Sequence, residues 1–122
     1  MFDLNNLKLV NDQLGHYEGD RLIKAFADIL NKVSNERVFV GRYGGDEFIM
    51  FIHGYDEGKI KQLLLEIRLQ TDERNRRFEQ PEINYAVGYE FGGLSLQKML
   101  KKADEKMYAN KKFMKIAAEK ML

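Results

Sequence analysis

Residues 38–52 read Val-Phe-Val-Gly-Arg-Tyr-Gly-Gly-Asp-Glu-Phe-Ile-Met-Phe-Ile, two strand-like stretches broken by paired glycines. The pattern predicts an antiparallel hairpin of Val38–Tyr43 and Glu47–Ile52, with Gly44 and Gly45 entering the positive-φ geometry that tight turns require. Glu47–Ile52 is apolar at nearly every position, so both of its faces are expected to be covered. The turn holds Asp46 and Glu47 side by side at its edge, where a divalent cation can be gripped. An isolated acidic pair is equally what a solvated turn looks like.

The rest of the chain arranges helices around this hairpin. Met1–Leu4 reads as the tail of a strand and Asn5–Leu7 as the loop leaving it, with one or two helical turns over Lys8–Leu14 before Gly15. From Glu18, Leu22, Ile23, Phe26, Ala27, Ile29, Leu30 and Val33 recur at helical spacing. Asp56 is placed to cap a helix running through about Arg68, with Ile60, Leu63, Leu64 and Ile67 as its stripe. Thr71–Glu82 is polar, holds the single proline and reads as a frayed helix end and loop. Ile83–Phe91 alternates like a strand, with Gly88 at a close-approach position, and a last helix starts at Ser95. The order β-α-β-β-α-β-α predicts an α+β domain, helices packed on a mainly antiparallel sheet.

Composition narrows the function classes. The 122 residues suffice for one domain with a sizeable core. A net charge of +1 gives no general pull toward nucleic acid or an acidic membrane surface, so an anionic ligand has to be held by local donors. With no cysteine, neither a disulfide framework nor a thiolate zinc site is available. The longest apolar run, Phe48–Ile52, is far below the roughly 20 residues that span a bilayer. No signal peptide is visible, which makes the cytoplasm the default location.

Several residue groups suggest chemistry. If the strand ending near Asp3 neighbours the hairpin, Asp3, Asp46 and Glu47 converge at one sheet edge, and their repulsion calls for a cation. Oxygen ligands without His or Cys suit Mg²⁺, with Mn²⁺ as an alternative. Main-chain N–H groups at Asn6, Leu7 and Lys8, leaving a strand and entering a helical turn, suit phosphate; a simple helix start has the same look. Asn11 and Asp20 flank Gly15-His16, an amide and a carboxylate placed to read the donor and acceptor edge of a ligand. Both residues also suit helix caps. Lys111 and Lys115, four apart, share a helix face that suits either a bound anion or plain solvent.

Three blocks together resemble the GGDEF family, the diguanylate cyclases: Arg42–Phe48, Asp3–Asp12 with Gly15-His16 and Gly19-Asp20, and Ala103–Tyr108 followed by Lys111 and Lys115. The resemblance implies a palm-like, ferredoxin-related sheet shared with nucleotidyl cyclases. It implies metal binding by Asp3, the Leu4 carbonyl, Asp46 and Glu47, with catalysis by the acidic pair and Asp46 as a candidate general base. Asn11, Asp20 and the nearby His16 would meet the guanine; Asn6, Leu7, Lys8, Lys111 and Lys115 would meet the phosphates. Where the family usually has aromatic residues in the phosphate loop, this chain has Asn6 and Leu7, a tolerable change if main-chain amides do the binding.

The implied activity is condensation of two GTP into cyclic di-GMP with release of two pyrophosphates, in a homodimer of GTP-loaded half-sites, without nucleic acid or direct membrane contact. The alternative is a GTP-binding regulatory module without turnover, or an inactive fragment of a larger signalling protein. An upstream sensory or regulatory domain is expected, in a parent protein open to membrane anchoring. The family's helix and most of a first strand before Asp3 are missing, so 1–122 reads as an N-terminally truncated domain prone to self-association. The family's Arg-x-x-Asp product-inhibition site is replaced by Asn35 and Val38.

Overall fold

A computed structural model describes residues 1–77 and 81–121. Its elements are β1 (Phe2–Leu4), α1 (Leu7–Leu14), α2 (His16–Lys32), β2 (Val38–Arg42), β3 (Glu47–Ile52), α3 (Glu57–Arg77), β4 (Tyr85–Val87) and α4 (Leu96–Lys120). The strands form one sheet in the order β2-β3-β1-β4, every neighbouring pair antiparallel. With β1, α2, β2-β3, α3 and β4 as its frame, this is the ferredoxin-related βαββαβ arrangement, to which α1 and α4 are added.

Strand alternation builds two cores. Phe2, Leu4 and Phe48 meet Leu22, Phe26 and Leu30 of α2 and Leu63 and Ile67 of α3. Phe26 sits at the centre, its ring centroid 5.0 Å from Tyr85 and 5.4 Å from Phe48. On the opposite face Met1, Ile49 and Ala86 meet Ala103 and Met107 of α4. Gly88 lets α4 lie this close, because a Cβ there would overlap the Met107 amide nitrogen and the Ala103 carbonyl oxygen. Asp56 caps α3 by accepting from the Lys59 amide, and Ser95 caps α4 by accepting from Lys98.

Four local expectations need correction. Gly44 and Gly45 do not take positive φ. The turn is instead closed by the Tyr43 and Gly44 amides donating to the Glu47 carbonyl and by the Arg42 guanidinium donating to the carbonyls of Gly44 and Gly45. Second, α2 begins at His16 and not Glu18, following directly on α1 across Gly15 at φ 93°.

Third, α3 runs on to Arg77 because its last polar residues have work on the returning chain: Arg74 donates to the Pro81 carbonyl, and the Asn75 carboxamide bonds both main-chain groups of Ile83, while buried Thr71 satisfies its hydroxyl within the helix by donating to the Arg68 carbonyl. The loop expected across Thr71–Glu82 includes residues 78–80, which lie outside those described. β4 is correspondingly short, with Ile83 held by Asn75 instead of a strand. Fourth, β3 is not covered on both faces throughout. α4 covers Ile49, but Phe51 is 39% exposed beside its still more exposed cross-strand partner Phe39.

Candidate metal and nucleotide site

The pleat that sends Phe2 and Leu4 into the α2–α3 core sends Asp3 to the α4 face. Asp3 pairs with Glu47 across the β1–β3 ladder, so the two carboxylates stand opposite each other on one face. Asp46 is locked alongside, its carbonyl accepting from the Leu4 amide at 2.8 Å. One carboxylate oxygen from each of Asp3, Asp46 and Glu47 lies within 4.8 Å of the others. The expected convergence of the three carboxylates is therefore present.

Asp3 is only 4% exposed. Burial raises its pKa, the hydrogen bond from Lys111 pulls it back, and the nearby Asp46 raises it further. Glu47 is raised for the same first reason and then by Asp3. Burial works against the charge on Lys111 as well, but its bond to Asp3 prevails and its pKa goes up. The two carboxylate shifts come first from burial and then from the neighbouring carboxylates, and the Lys111 shift comes from its bond to Asp3. Lys111 Nζ donates to Asp3 Oδ2 at 3.0 Å, while buried Oδ1 has no hydrogen-bond partner. A buried aspartate with one orphaned oxygen, clustered with two further carboxylates and with no nitrogen or sulfur ligand among the three, fits a hard divalent cation.

The phosphate-loop residues lie at the entry to α1. Asn6 is its N-cap, with a left-handed φ of 65°, and Leu7 and Lys8 form the first turn. The first intrahelical bond runs from the Val10 amide to the Asn6 carbonyl, so the preceding helical amides lack an acceptor within the helix. Leu4 ends β1 immediately before this loop.

Asn11 and Asp20 are not helix caps: they lie inside α1 and α2, whose N-caps are Asn6 and Gly15. The Asn11 carboxamide packs against Gly19, the residue before Asp20. His16 and Asp20, four apart on α2, share an exposed face. On α4, Lys111 belongs to the carboxylate cluster, whereas Lys115 is exposed.

The Lys111–Asp3 pair escaped the sequence reading, which linked Lys111 to phosphate through the family alone. Its signal is tertiary, as is that of Asn110, one residue earlier, whose side chain accepts from the Val87 amide at 2.9 Å and pins α4 to β4. Among the described residues no helix is long and apolar enough to cross a membrane.

Known proteins resemble this chain in sequence and in fold. Diguanylate cyclase A of Treponema denticola is 26% identical over 116 residues, which cover 91% of this chain and 31% of that protein. A diguanylate cyclase of Vibrio cholerae is 30% identical over 114 residues, covering 90% of this chain and 35% of that one. The GGDEF domain of DgcB from Caulobacter crescentus, solved in complex with c-di-GMP, aligns with a TM-score of 0.80 at 29% identity, over 91% of this chain and 69% of that one. The chain spans about a third or less of the length of these curated relatives. Residues 1–115 match the diguanylate cyclase GGDEF domain, and with the antiparallel β2-β3-β1-β4 sheet and its acidic turn the chain belongs to the GGDEF domain family.

Proposed function

We propose that this domain condenses two molecules of GTP into cyclic di-GMP with release of two pyrophosphates. The observation that carries the reading is the convergence of Asp3, Asp46 and Glu47 within 4.8 Å where the two central strands β1 and β3 meet the hairpin turn. Asp3, the Leu4 carbonyl, Asp46 and Glu47 would hold Mg²⁺ or Mn²⁺. Such an ion, when bound, neutralises phosphate charge and lowers the pKa of a coordinated hydroxyl.

The chain's own groups do the rest. Main-chain amides of Asn6, Leu7 and Lys8 receive the phosphates at the start of α1, where the helix dipole favours negative charge. Lys111 lies beside Asp3 and Lys115 one turn further along α4, so both cations serve the triphosphate from the same side. Asp20 accepts from the guanine N1–H and N2–H₂ edge, Asn11 pairs with O6 or N3, and His16 lies next to the base. Asp46 takes the proton of the 3′-hydroxyl as its oxygen bonds to the α-phosphorus of the second GTP, and the bond from that phosphorus to the β-phosphate bridging oxygen breaks. Two such transfers close the ring. Each needs a GTP on a facing domain, which makes a homodimer part of the proposal. A cytoplasmic location follows from the supply of GTP.

The test is to incubate the chain with GTP and Mg²⁺ or Mn²⁺ and assay for cyclic di-GMP. Asp46→Ala and Glu47→Ala should each abolish product while the fold persists, since turn-edge side chains contribute little packing. Near-normal turnover in either variant removes that residue from the site. Calorimetric GTP binding without product in the parent chain favours the regulatory module.

A further inference from the structure

We propose that Gly19 is a positioning residue for guanine recognition: its missing side chain makes the space in which the Asn11 carboxamide is seated between α1 and α2. The inference rests on the base-binding reading of Asn11 and Asp20 above, and goes beyond it by assigning a role to a residue that cannot touch the nucleotide through a side chain.

Gly19 lies inside the 17-residue helix α2 and is buried there. Its φ is not positive, so the backbone makes no demand for glycine. Glycine in a helix interior is less favourable than alanine, and packing is what remains to offset that cost. A Cβ at this position would overlap Asn11 Oδ1 and lie 2.8 Å from Asn11 Cγ. The three heavy atoms nearest to it all belong to the Asn11 carboxamide. The Asn11 carboxamide thus takes up the space that a side chain at position 19 needs.

Two further features hold Asn11 there. The Gly15 amide donates to the Asn11 carbonyl at 3.0 Å and the Gly19 amide donates to the Gly15 carbonyl at 3.2 Å, so the main chain of the α1–α2 junction is tied at both ends of the seat. Gly15 itself has φ 93° and ψ 162°, a conformation open to glycine and little else, which lets α2 start one residue after α1 stops. Asn11 and Asp20 come from different helices. Their relative placement is therefore fixed by this junction and by the close contact at Gly19, and Asp20 follows Gly19 directly in sequence.

Gly19→Ala leaves the helix intact and intrinsically favoured, but drives the Asn11 carboxamide out of its seat. The displaced group is the far end of a flexible side chain, so the fold survives. What changes is base selectivity. Asp20 still accepts from N1–H and N2–H₂, while the contact to O6 or N3 is lost.

The experiment measures GTP, ITP and ATP affinity by calorimetry with Mg²⁺ for the parent, Gly19→Ala, Asn11→Ala and the double variant, with thermal melts as the fold control. Gly19→Ala should weaken GTP binding about tenfold, the scale of one lost hydrogen bond to a base, and narrow the GTP-to-ATP ratio by a similar factor, with a melting temperature equal to or above the parent's. In the Asn11→Ala background the Gly19→Ala change should have no further effect on GTP, since the group it displaces is gone. ITP, which lacks the N2 amine read by Asp20, should be weakened by Gly19→Ala by the same factor as GTP.

Parent-like selectivity in Gly19→Ala, alongside a clear loss in Asn11→Ala, overturns the positioning role and leaves the base reading standing. Unchanged GTP affinity in Asn11→Ala, or no GTP binding by the parent, overturns the base reading and the inference with it. A large loss of stability in Gly19→Ala that persists in the double variant shows that Gly19 serves packing in general, and equally overturns the inference.

Discussion

Gly88→Ala tests the placement of α4, and with it the route by which Lys111 reaches Asp3. The added Cβ meets main chain, lying 2.7 Å from the Lys106 carbonyl carbon and overlapping the Met107 nitrogen and the Ala103 oxygen. Helical backbone cannot yield locally without breaking its own hydrogen bonds, so α4 has to retreat as a body by roughly 1 Å to reach ordinary contact. A gap of that size forfeits a quarter to a half of each dispersion contact across the interface. For fully buried Met107 against Ala86 and Ile49 this amounts to about 1 kcal/mol, a fraction of the burial value of a Met side chain.

The same retreat stretches the 2.9 Å bond from the Val87 amide to Asn110 and the 3.0 Å bond from Lys111 to Asp3 beyond useful range. Each loss costs about 1 kcal/mol. The expected total is about 3 kcal/mol, at the upper end of what overpacking usually costs and a large share of a typical domain's stability. Urea denaturation should report that loss, and the melting temperature should fall by about 10 °C. Gly45→Ala is the control: nothing lies within 4 Å of its Cβ position and its φ is not positive, so it should stay within about 0.5 kcal/mol of the parent. A Gly88→Ala variant as stable as that control would refute the close approach of α4.

Asp3→Asn should stabilise the metal-free protein at neutral pH by up to about 1 kcal/mol, the scale of a like-charge pair across strands; added Mg²⁺ or Mn²⁺ should raise the melting temperature of the parent and not that of the variant. Because burial raises the folded-state pKa of Asp3, the parent loses stability relative to the variant as pH rises from the ordinary aspartate value through that raised value, and the gap closes on acidification; thermal melts across pH 4 to 8, on the order of the acid range in which carboxylates titrate, check the sign. Asn75→Ala removes both bonds to the main chain of Ile83 and should cost about 2 kcal/mol, measured by the urea midpoint; a neutral result would mean that the α3 extension is held by other contacts. Cyclic di-GMP should not bind around residues 35–38, where Asn35 and Val38 bridge each other through main chain and the Val38 side chain is buried. Titration with residue-level mapping that placed the ligand there would contradict this.

Periodic and local information carried most of the architecture. The stripe Leu22, Phe26, Ile29, Leu30 and Val33 marked a helix whose buried face is now seen, and Asp56 and Ser95 marked helix starts because capping is satisfied within one turn. Glycine beside the acidic pair marked the hairpin, although for the wrong reason: the turn is held by Arg42, not by positive φ. Asp3 next to a strand, with Asp46 and Glu47 at a turn, made the carboxylate cluster legible as soon as the two elements were assumed to be neighbours.

Tertiary structure decided whatever depended on contacts between distant segments. α3 outlasts its apolar stripe because Arg74 and Asn75 find partners on Pro81 and Ile83, and a polar composition gives no sign of where its hydrogen bonds will go. Phe51 stays exposed because α4 crosses the sheet over Ile49 and Ala86, and a run of apolar residues does not tell which of them a helix will cover. Lys111 meets Asp3 across 108 positions of sequence, and Asn11 meets Gly19 only because Gly15 folds α2 back against α1. Residue spacing determines which side chains share a face of their own element. Which faces then meet, and which charges end up buried together, is set by packing free energy summed over the whole chain.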